Sequence, residues 1–253
     1  MLTDRAIPLY YQIETILRKK MSSGELVPGD PLPTELSLAD EYGVSRITIR
    51  QALSSLERDG LIVRKRGTRT VVSKGRIYFD PLKYTGSIED LIIMGIKNHT
   101  KVLNFYETQI PDRIAKFIPL PQNMEAICIE RLRLAEDRPY CYVSNYLPTQ
   151  IGKRIHPDTL LKKPLLKILE DDLGLTIANA VQTYEATIAD PQMAPLLNVR
   201  VGQPLLKIQR AIFDSNQAFV EYVSIYYRAD KCLFKVELQR EKKGDAITWA
   251  LSE

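Results

Sequence analysis

Arginines recur at short, even spacing in two separate stretches of the chain. In EYGVSRITIRQAL, residues 41–53, Arg46, Thr48 and Arg50 alternate, with Val44, Ile47 and Leu53 as the apolar contribution. Arginine can pair bidentately with guanine O6 and N7, threonine can meet a base edge or a thymine methyl, and a helix N-terminus favours an adjacent phosphate. If the stretch is a helix capped by Ser45, then Ser45, Arg46, Thr48 and Arg50 lie on its first turn and a half, where a recognition helix enters the major groove. Which arginine reads a base and which clamps a phosphate stays open. The second stretch is IERLRL, residues 129–134. Arg131 and Arg133 are two apart, so in a strand both guanidinium groups leave the same face. Two like charges that are even partly buried need a compensating anion or an acidic partner. Glu221 or a bound phosphate or carboxylate could supply it; a solvated sheet face or an internal salt bridge is the plainer alternative.

The elements that would position the first set are legible. PLYYQIETILRKKM, residues 8–21, places Leu9, Ile13, Ile16, Leu17 and Met21 at three-to-four spacing, with Pro8 suited to the start of an amphipathic helix and Gly24 to its end. The turn-rich PGDPLP (28–33) connects it to a helix that Thr34 can cap, with Glu35 in the first turn and Leu36, Leu38, Ala39 and Tyr42 as packing residues. Gly43 ends that helix and Ser45 caps the next, whose Ile47, Ile49, Leu53 and Leu56 are expected to face the domain. Two short helices joined at a glycine-containing turn make a helix-turn-helix. LIVRKRGTRTVVS (61–73) then reads as two short strands, 61–64 and 70–73, joined by a basic tip holding Arg64, Lys65, Arg66 and Arg69. Residues 44–76 contain nine lysines and arginines against two acidic residues, although the whole chain has a net charge of only +4. A basic excess confined to one short segment is the footprint of a nucleic-acid contact.

GELVPGDPLPTE (24–35), LADEYGVSRITIRQALSSLERDGLI (38–62) and the basic wing, with PLYYQI near the start, together resemble the winged helix-turn-helix domain of the GntR family of bacterial transcriptional regulators. The resemblance implies DNA contacts from Thr34, Glu35, Ser45, Arg46, Thr48, Arg50, Arg64, Arg66, Gly67, Thr68 and Arg69. Where the family carries a second glycine in an R-x-G-x-G wing tip, this chain has Arg69, which adds a charge and removes backbone freedom.

Residues 73–83, SKGRIYFDPLK, have the composition of a boundary. Beyond them, strands are predicted at 101–109, 125–135, 139–146, 178–189, 204–213, 218–227 and 232–239, and helical pieces at 87–94, 111–117, 158–172 and 191–197. That pattern fits a mixed α/β domain around a largely antiparallel sheet. Residues 127–146 and 205–226 form a weak internal repeat of strand, polar turn and strand, pairing Arg131 with Arg210. The segments 129–148, 165–177 and 189–230 resemble the UTRA domain of the HutC-like subfamily, which has a chorismate-lyase-like fold and senses small molecules, commonly phosphorylated sugars but also organic acids. By that resemblance the effector residues are Arg131, Arg133, Ser144, Asn179, Glu221 and Tyr227, with Thr85 and Ser87 at the start of a helix as an anion site. Tyr227 lies six residues beyond Glu221 and so shares its face of the strand. Arg228 and Asp230 also match the subfamily and are expected to form a structural pair. Where many members carry a glutamate in the first hairpin, this chain has Val143, which argues against an amino-sugar phosphate.

The expected organisation is therefore a two-domain α/β chain: a winged helix-turn-helix over 1–74, a linker over 75–83, and an effector-binding and dimerisation domain over 84–248. The expected partners are double-stranded operator DNA, a small-molecule effector and a second copy of the chain, with no cofactor. Of 253 residues, 45% are hydrophobic and 26% charged, as in ordinary globular proteins. No apolar run approaches the roughly 18 residues of a membrane span, and a cytoplasmic location is expected. Three scattered cysteines and two histidines without a neighbouring second ligand do not make a disulfide scaffold or a zinc site. An enzyme on the chorismate-lyase-like fold is the alternative, but neither histidine, a nucleophile elbow nor a phosphate-cradling loop accompanies Arg131, Arg133 and Glu221. Nonspecific chromatin binding would spread the basic charge along the chain.

Overall fold

The computed structural model describes residues 7–64, 69–73, 82–83, 99–115, 117–121, 123–135, 137–232, 234–235, 238–243 and 246–251. The chain divides into two compact units, residues 1–78 and 79–253.

In the first unit, α1 (Leu9–Ser22) begins behind Pro8 and buries Ile13 and Leu17. α2 (Glu35–Tyr42) starts where Thr34 Oγ1 accepts from the Ser37 amide at 3.1 Å. It stops at Gly43, whose φ of 64° closes the helix in the left-handed region that glycine adopts without penalty. α3 (Arg46–Arg58) begins at Ser45, whose hydroxyl accepts from the Thr48 amide at 3.2 Å. Ile49, Ala52, Leu53 and Leu56 make its buried stripe, packed against Ile13, Leu17, Leu38 and Ala39. Ile47 departs from the expectation: it is 71% exposed. It sits two residues from Ile49, about 200° around the helix, and so faces outward with Arg50. The strands β1 (Ile62–Val63) and β2 (Val71–Val72) pair antiparallel, and Ile62 and Val72 pin this wing to the core. Arg18 joins α1 to the end of α3 by bonding both Glu14, at 2.9 Å, and Asp59.

The second unit is built on a six-stranded antiparallel sheet of β4 (His99–Gln109), β5 (Glu125–Ala135), β6 (Arg138–Pro148), β7 (Ile177–Ile188), β8 (Pro204–Asp214) and β9 (Phe219–Arg228). Its order is β4-β5-β6-β9-β8-β7. The repeat read from the sequence is thus two three-stranded units, β4–β5–β6 and β7–β8–β9, meeting at β6 and β9. At the seam Ser144 lies opposite Ser224, flanked by Tyr142 opposite Tyr226 and Tyr146 opposite Tyr222. Each unit's β-turn also contains a residue in the left-handed region, Asp137 with φ 61° and Gln217 with φ 62°.

Both faces of the sheet are covered. On one, Leu160, Leu165, Leu166, Ile168 and Leu169 pack on Ile127, Ile129 and Leu147. On the other lie Ile114 of α4 (Asp112–Ala115) and Ala194 and Leu197 of α5 (Met193–Leu197). The helix predicted over 158–172 is instead a 3-10 turn, Pro157–Leu161, then a short α-helical turn, Leu165–Lys167, running into a π turn, Ile168–Asp172. Pro164 has no N–H to donate and restricts the residue before it, which explains the break. The strand predicted over 232–239 is divided between two partners. Phe234–Lys235 pairs in parallel with β3 (Leu82–Lys83), and Leu238–Lys243 pairs with an unanticipated strand, Ala246–Leu251. The helix predicted at 87–94 lies outside the described residues.

Candidate nucleic-acid interface and candidate effector cavity

On the recognition helix α3 the buried stripe leaves Arg46, Ile47 and Arg50 exposed. Ser45 and Thr48 are joined by their hydroxyls at 2.9 Å, so both side chains serve the cap. Thr34 likewise caps α2. Arg50 is held at its own end by Glu35, with Nη2 to Oε2 at 3.1 Å, and the contact raises the pKa of the guanidinium. Arg64, at the foot of the wing, reaches Glu35 at 3.8 Å and Glu57 at 3.5 Å, and its Nη2 donates to the Arg50 carbonyl at 3.4 Å. Glu35 is therefore a brace between two arginines from different elements, a role its place in the first turn did not reveal. Arg69 is exposed. Arg66, Gly67 and Thr68 lie outside the described residues. Besides Leu36, which is 56% exposed and not packed as expected, Ile47 is the residue that sequence reasoning assigned to the wrong side. Its position three residues before Arg50 was the available signal, since that spacing puts the two on one helix face.

In the sheet unit, register decides which predicted residues meet. Arg131 pairs with Val143, Arg133 with Cys141, and Cys141 in turn with Tyr227. Arg131, Arg133, Val143, Asn145, Glu221, Val223, Ile225, Arg210 and Ile212 share one face and line a cavity with about 470 Å³ of empty space, part of it open to solvent. Pro164, Leu165 and Leu166 complete its lining. Tyr227 is on the same face and fully buried, beside Cys141 and Tyr140. Burial holds Tyr227 well above its usual pKa and pushes Cys141 up to about 12, so both stay protonated.

A run of polar side chains crosses this face diagonally, one from each of five strands, four of them buried and the last, Gln182, partly exposed. Arg131 Nη2 donates to Asn145 Oδ1 at 2.7 Å, and Asn145 Nδ2 donates to Glu221 Oε1. Glu221 interacts electrostatically with both Arg131 and Arg210, and Arg210 Nε donates to Gln182 Oε1 at 2.6 Å. Glu221 was one of the partners left open for the two arginines; the hydrogen bonds between it and Arg131 pass through Asn145. Burial raises the Glu221 pKa against the opposing pull of Asn145, Arg131 and Arg210. Burial lowers the Arg131 pKa to about 10, and neighbouring Arg133 adds to the shift. Arg131 Nε is buried without a hydrogen-bond partner among the described residues.

Two expected effector residues fall elsewhere. Ser144 pairs with Glu130 and Ser224, one residue out of phase with Arg131 and Asn145, and therefore faces the opposite side of the sheet. Asn179 pairs with Phe213, out of phase with Ile212, and is exposed. Thr85 and Ser87 lie outside the described residues. Asn145 and Arg210 are the residues the reading missed. Arg210 was marked only as the repeat partner of Arg131, and Asn145 has the parity that the hairpin turn assigns to the cavity face. Arg228 forms the expected structural pair, bonding Asp230 at 2.8 and 3.0 Å while donating to the Leu197 carbonyl.

A winged helix-turn-helix displaying arginines, followed by an antiparallel-sheet unit with a cationic cavity, defines a DNA-binding regulator with an added cavity-bearing domain. Residues 9–72 match the model of the gntR family of bacterial regulatory proteins, and residues 94–232 match that of the UTRA domain. The chain belongs to the GntR family of bacterial regulators, in its HutC-like form with a C-terminal UTRA domain of chorismate-lyase-like fold. It is 29% identical to the HTH-type transcriptional repressor NagR of Bacillus subtilis, over 90% of this chain and 93% of that protein. It is 30% identical to the HTH-type transcriptional regulator Rv0792c of Mycobacterium tuberculosis, over 94% and 89% of the two chains. Among solved structures, the possible transcriptional regulator YydK from B. subtilis has the same fold, with a TM-score of 0.55 at 22% identity over 91% of this chain and 99% of that one. The protein is thus a sequence-specific DNA-binding transcriptional regulator that binds operator DNA. No helix among the described residues is long and apolar enough to cross a membrane.

Proposed function

We propose that this regulator is a cytoplasmic repressor whose operator affinity is set by a small anionic metabolite in the sheet cavity. The observation that carries the reading is the cavity's lining, with three guanidinium groups, Arg131, Arg133 and Arg210, against the single carboxylate of Glu221. Buried like charges require an anion, and a ligand can supply one. Arg131, Arg133 and Glu221 are the contacts, with Tyr227 backing Arg133 and Thr85 and Ser87 retained as hydrogen-bond donors to the anion. Arg46, Ile47, Arg50, Arg64 and Arg69 face DNA, with Arg66, Gly67 and Thr68 retained as wing contacts, while Thr34, Glu35, Ser45 and Thr48 fix the frame that presents the helix. The names of relatives such as NagR support repression.

A two-fold homodimer would set two headpieces on a palindromic operator. The edge strand β7 supports this, because Val181, Tyr184 and Ile188 are 52%, 45% and 63% exposed on a sheet edge that needs cover. The effector acts by shifting a two-state equilibrium through the 75–83 linker between the 1–74 and 84–248 domains. The test is binding of the purified protein to tiled fragments of its own upstream DNA, with and without pooled phosphorylated sugars and organic acids. A salt-sensitive site whose occupancy changes with one fraction is expected, and Arg133→Ala is expected to keep DNA binding and lose that response. A screen in which no metabolite altered operator affinity would overturn the proposal.

A further inference from the structure

The internal repeat brings a second cationic anchor to the cavity. Arg131 on β5 and Arg210 on β8 hold corresponding places in the two three-stranded units, each only 5% exposed, and both line the same space. Strands β6 and β9 lie between them, so their backbones are separated by three interstrand spacings, roughly 14 Å. Register adds to this: the row through Arg131 runs Val143, Ile225, Ile208, and Arg210 is two residues further along β8. One end of the cavity therefore carries Arg131 with Arg133 beside it, and the other carries Arg210, oriented through its Nε by Gln182.

Apart from Asn145, and from Glu221, which interacts with both Arg131 and Arg210, the ground between is apolar. Val143, Val223, Ile225 and Ile212 line the sheet side, and Pro164, Leu165 and Leu166 line the rest. Of the polar side chains in the lining, Asn145 is already engaged by Arg131 and Glu221. A ring bearing several hydroxyls would lose water there without gaining enough partners. A ligand with charge at both ends and hydrocarbon in the middle matches each part of the lining, and guanidinium groups suit carboxylates by bidentate pairing. Three guanidinium groups and one carboxylate in the lining favour an anionic ligand.

Resting on the reading of this cavity as the effector site, we propose that its ligand is an elongated dicarboxylic acid, one carboxylate held by Arg131 and Arg133 and the other by Arg210. Arg210 is then a specificity-determining residue that requires the second charge.

The test is calorimetric titration of the full-length protein with the dicarboxylates from succinate to suberate, the monocarboxylates of matching length, and glucose 6-phosphate. At the best length the dicarboxylate is expected to bind about tenfold more tightly than its monocarboxylate. Arg210→Gln should erase that preference and leave monocarboxylate affinity within about twofold, since Arg131 and Arg133 remain. Arg210→Lys, which keeps the charge, should retain part of the preference and serves if the glutamine variant fails to fold. Equal affinity for the two series, a preference that survives Arg210→Gln, or tighter binding of glucose 6-phosphate than of every dicarboxylate would overturn the inference. Operator binding is measured in parallel. A dicarboxylate that binds with the expected preference but leaves DNA affinity unchanged defeats the gating proposal alone. A sugar phosphate that releases DNA without any dicarboxylate preference defeats this inference alone.

Discussion

Replacing Asn145 with leucine isolates the middle of the buried polar run. Asn145 accepts from Arg131 and donates to Glu221, and the three residues are 2%, 5% and 3% exposed. Asn145→Leu removes both bonds and leaves two buried charge-bearing groups without water to replace them. A hydrogen bond to a charged group is worth about 1.5–3 kcal/mol, so two losses amount to about 3–6 kcal/mol. Leucine recovers part of this by burying more hydrocarbon against Val143 and Val223, about 1 kcal/mol for the added carbon. A net loss near 3 kcal/mol corresponds to a fall of about 6–12 °C in the transition of a unit this size. The assay is scanning calorimetry of the full-length protein, with Ser144→Ala as the control, because Ser144 faces the other side of the same strand. A fall of less than about 2 °C for Asn145→Leu, or an equal fall for the control, would refute the reasoning that Asn145 couples the two charges.

Arg50→Ala is expected to cost about 1–3 kcal/mol of operator binding if Arg50 reads a base, with specificity relaxed at one position. Competition titration against single-base operator variants measures this, and a uniform loss with a shallower salt slope assigns Arg50 to a phosphate instead. Glu221 holds its proton more tightly in the folded than in the unfolded state, because its pKa is raised above 4.5. Its stabilising contribution is therefore full below that ordinary value and is lost as pH rises through the raised one. Glu221→Gln should remove this component, so its stability relative to wild type improves as pH rises; parallel denaturant midpoints across pH would contradict the assignment. Arg18→Met leaves buried Glu14 and Asp59 without their shared cation and should lower headpiece stability by about 2–3 kcal/mol, near the low end for breaking a buried pair because Arg18 is itself partly exposed. Guanidinium unfolding monitored by helical circular dichroism gives the value, and an unchanged midpoint would show the ion pairs to be dispensable.

The helical headpiece was legible because its punctuation is local. Thr34 and Ser45 cap, Gly43 terminates, and Ile49, Ala52, Leu53 and Leu56 repeat at helical spacing. What misled was composition within that pattern. Ile47 is as apolar as Ile49, and only its angle around the helix places it outside. In the sheet, strand positions followed from alternation, and the shared faces of Arg131 with Arg133 and of Glu221 with Tyr227 followed from their even separation. Facing across strands depends on register, which hairpin length and bulges decide. Ser144 was set beside the arginines on position in the chain alone, and pairing with Glu130 turns it away. Arg210 is 79 residues from Arg131, and only the strand order β5-β6-β9-β8 shows that the two share a face and a cavity.

The same duplication explains why the two faces of the sheet differ so sharply. At the seam the side opposite the cavity carries Ser144, Ser224 and four tyrosines, and its polar bonds repeat across the two units. Tyr142 donates to Glu130 at 2.6 Å, and Gln209 donates to the Tyr222 hydroxyl at 2.5 Å. Those pairs join corresponding positions in the two units, so on this face the repeat carries its polar partners with it. On the cavity face the repeat supplies a second arginine but no second acid. The position corresponding to Asn145 holds Ile225, and the lone carboxylate is Glu221 on β9. A duplicated sheet that completes its bonds on one side and leaves a cationic excess on the other has a packing surface and a binding surface. It is the asymmetric substitutions, Asn145 and Glu221, that turn a pair of matching arginines into a site with distinguishable ends.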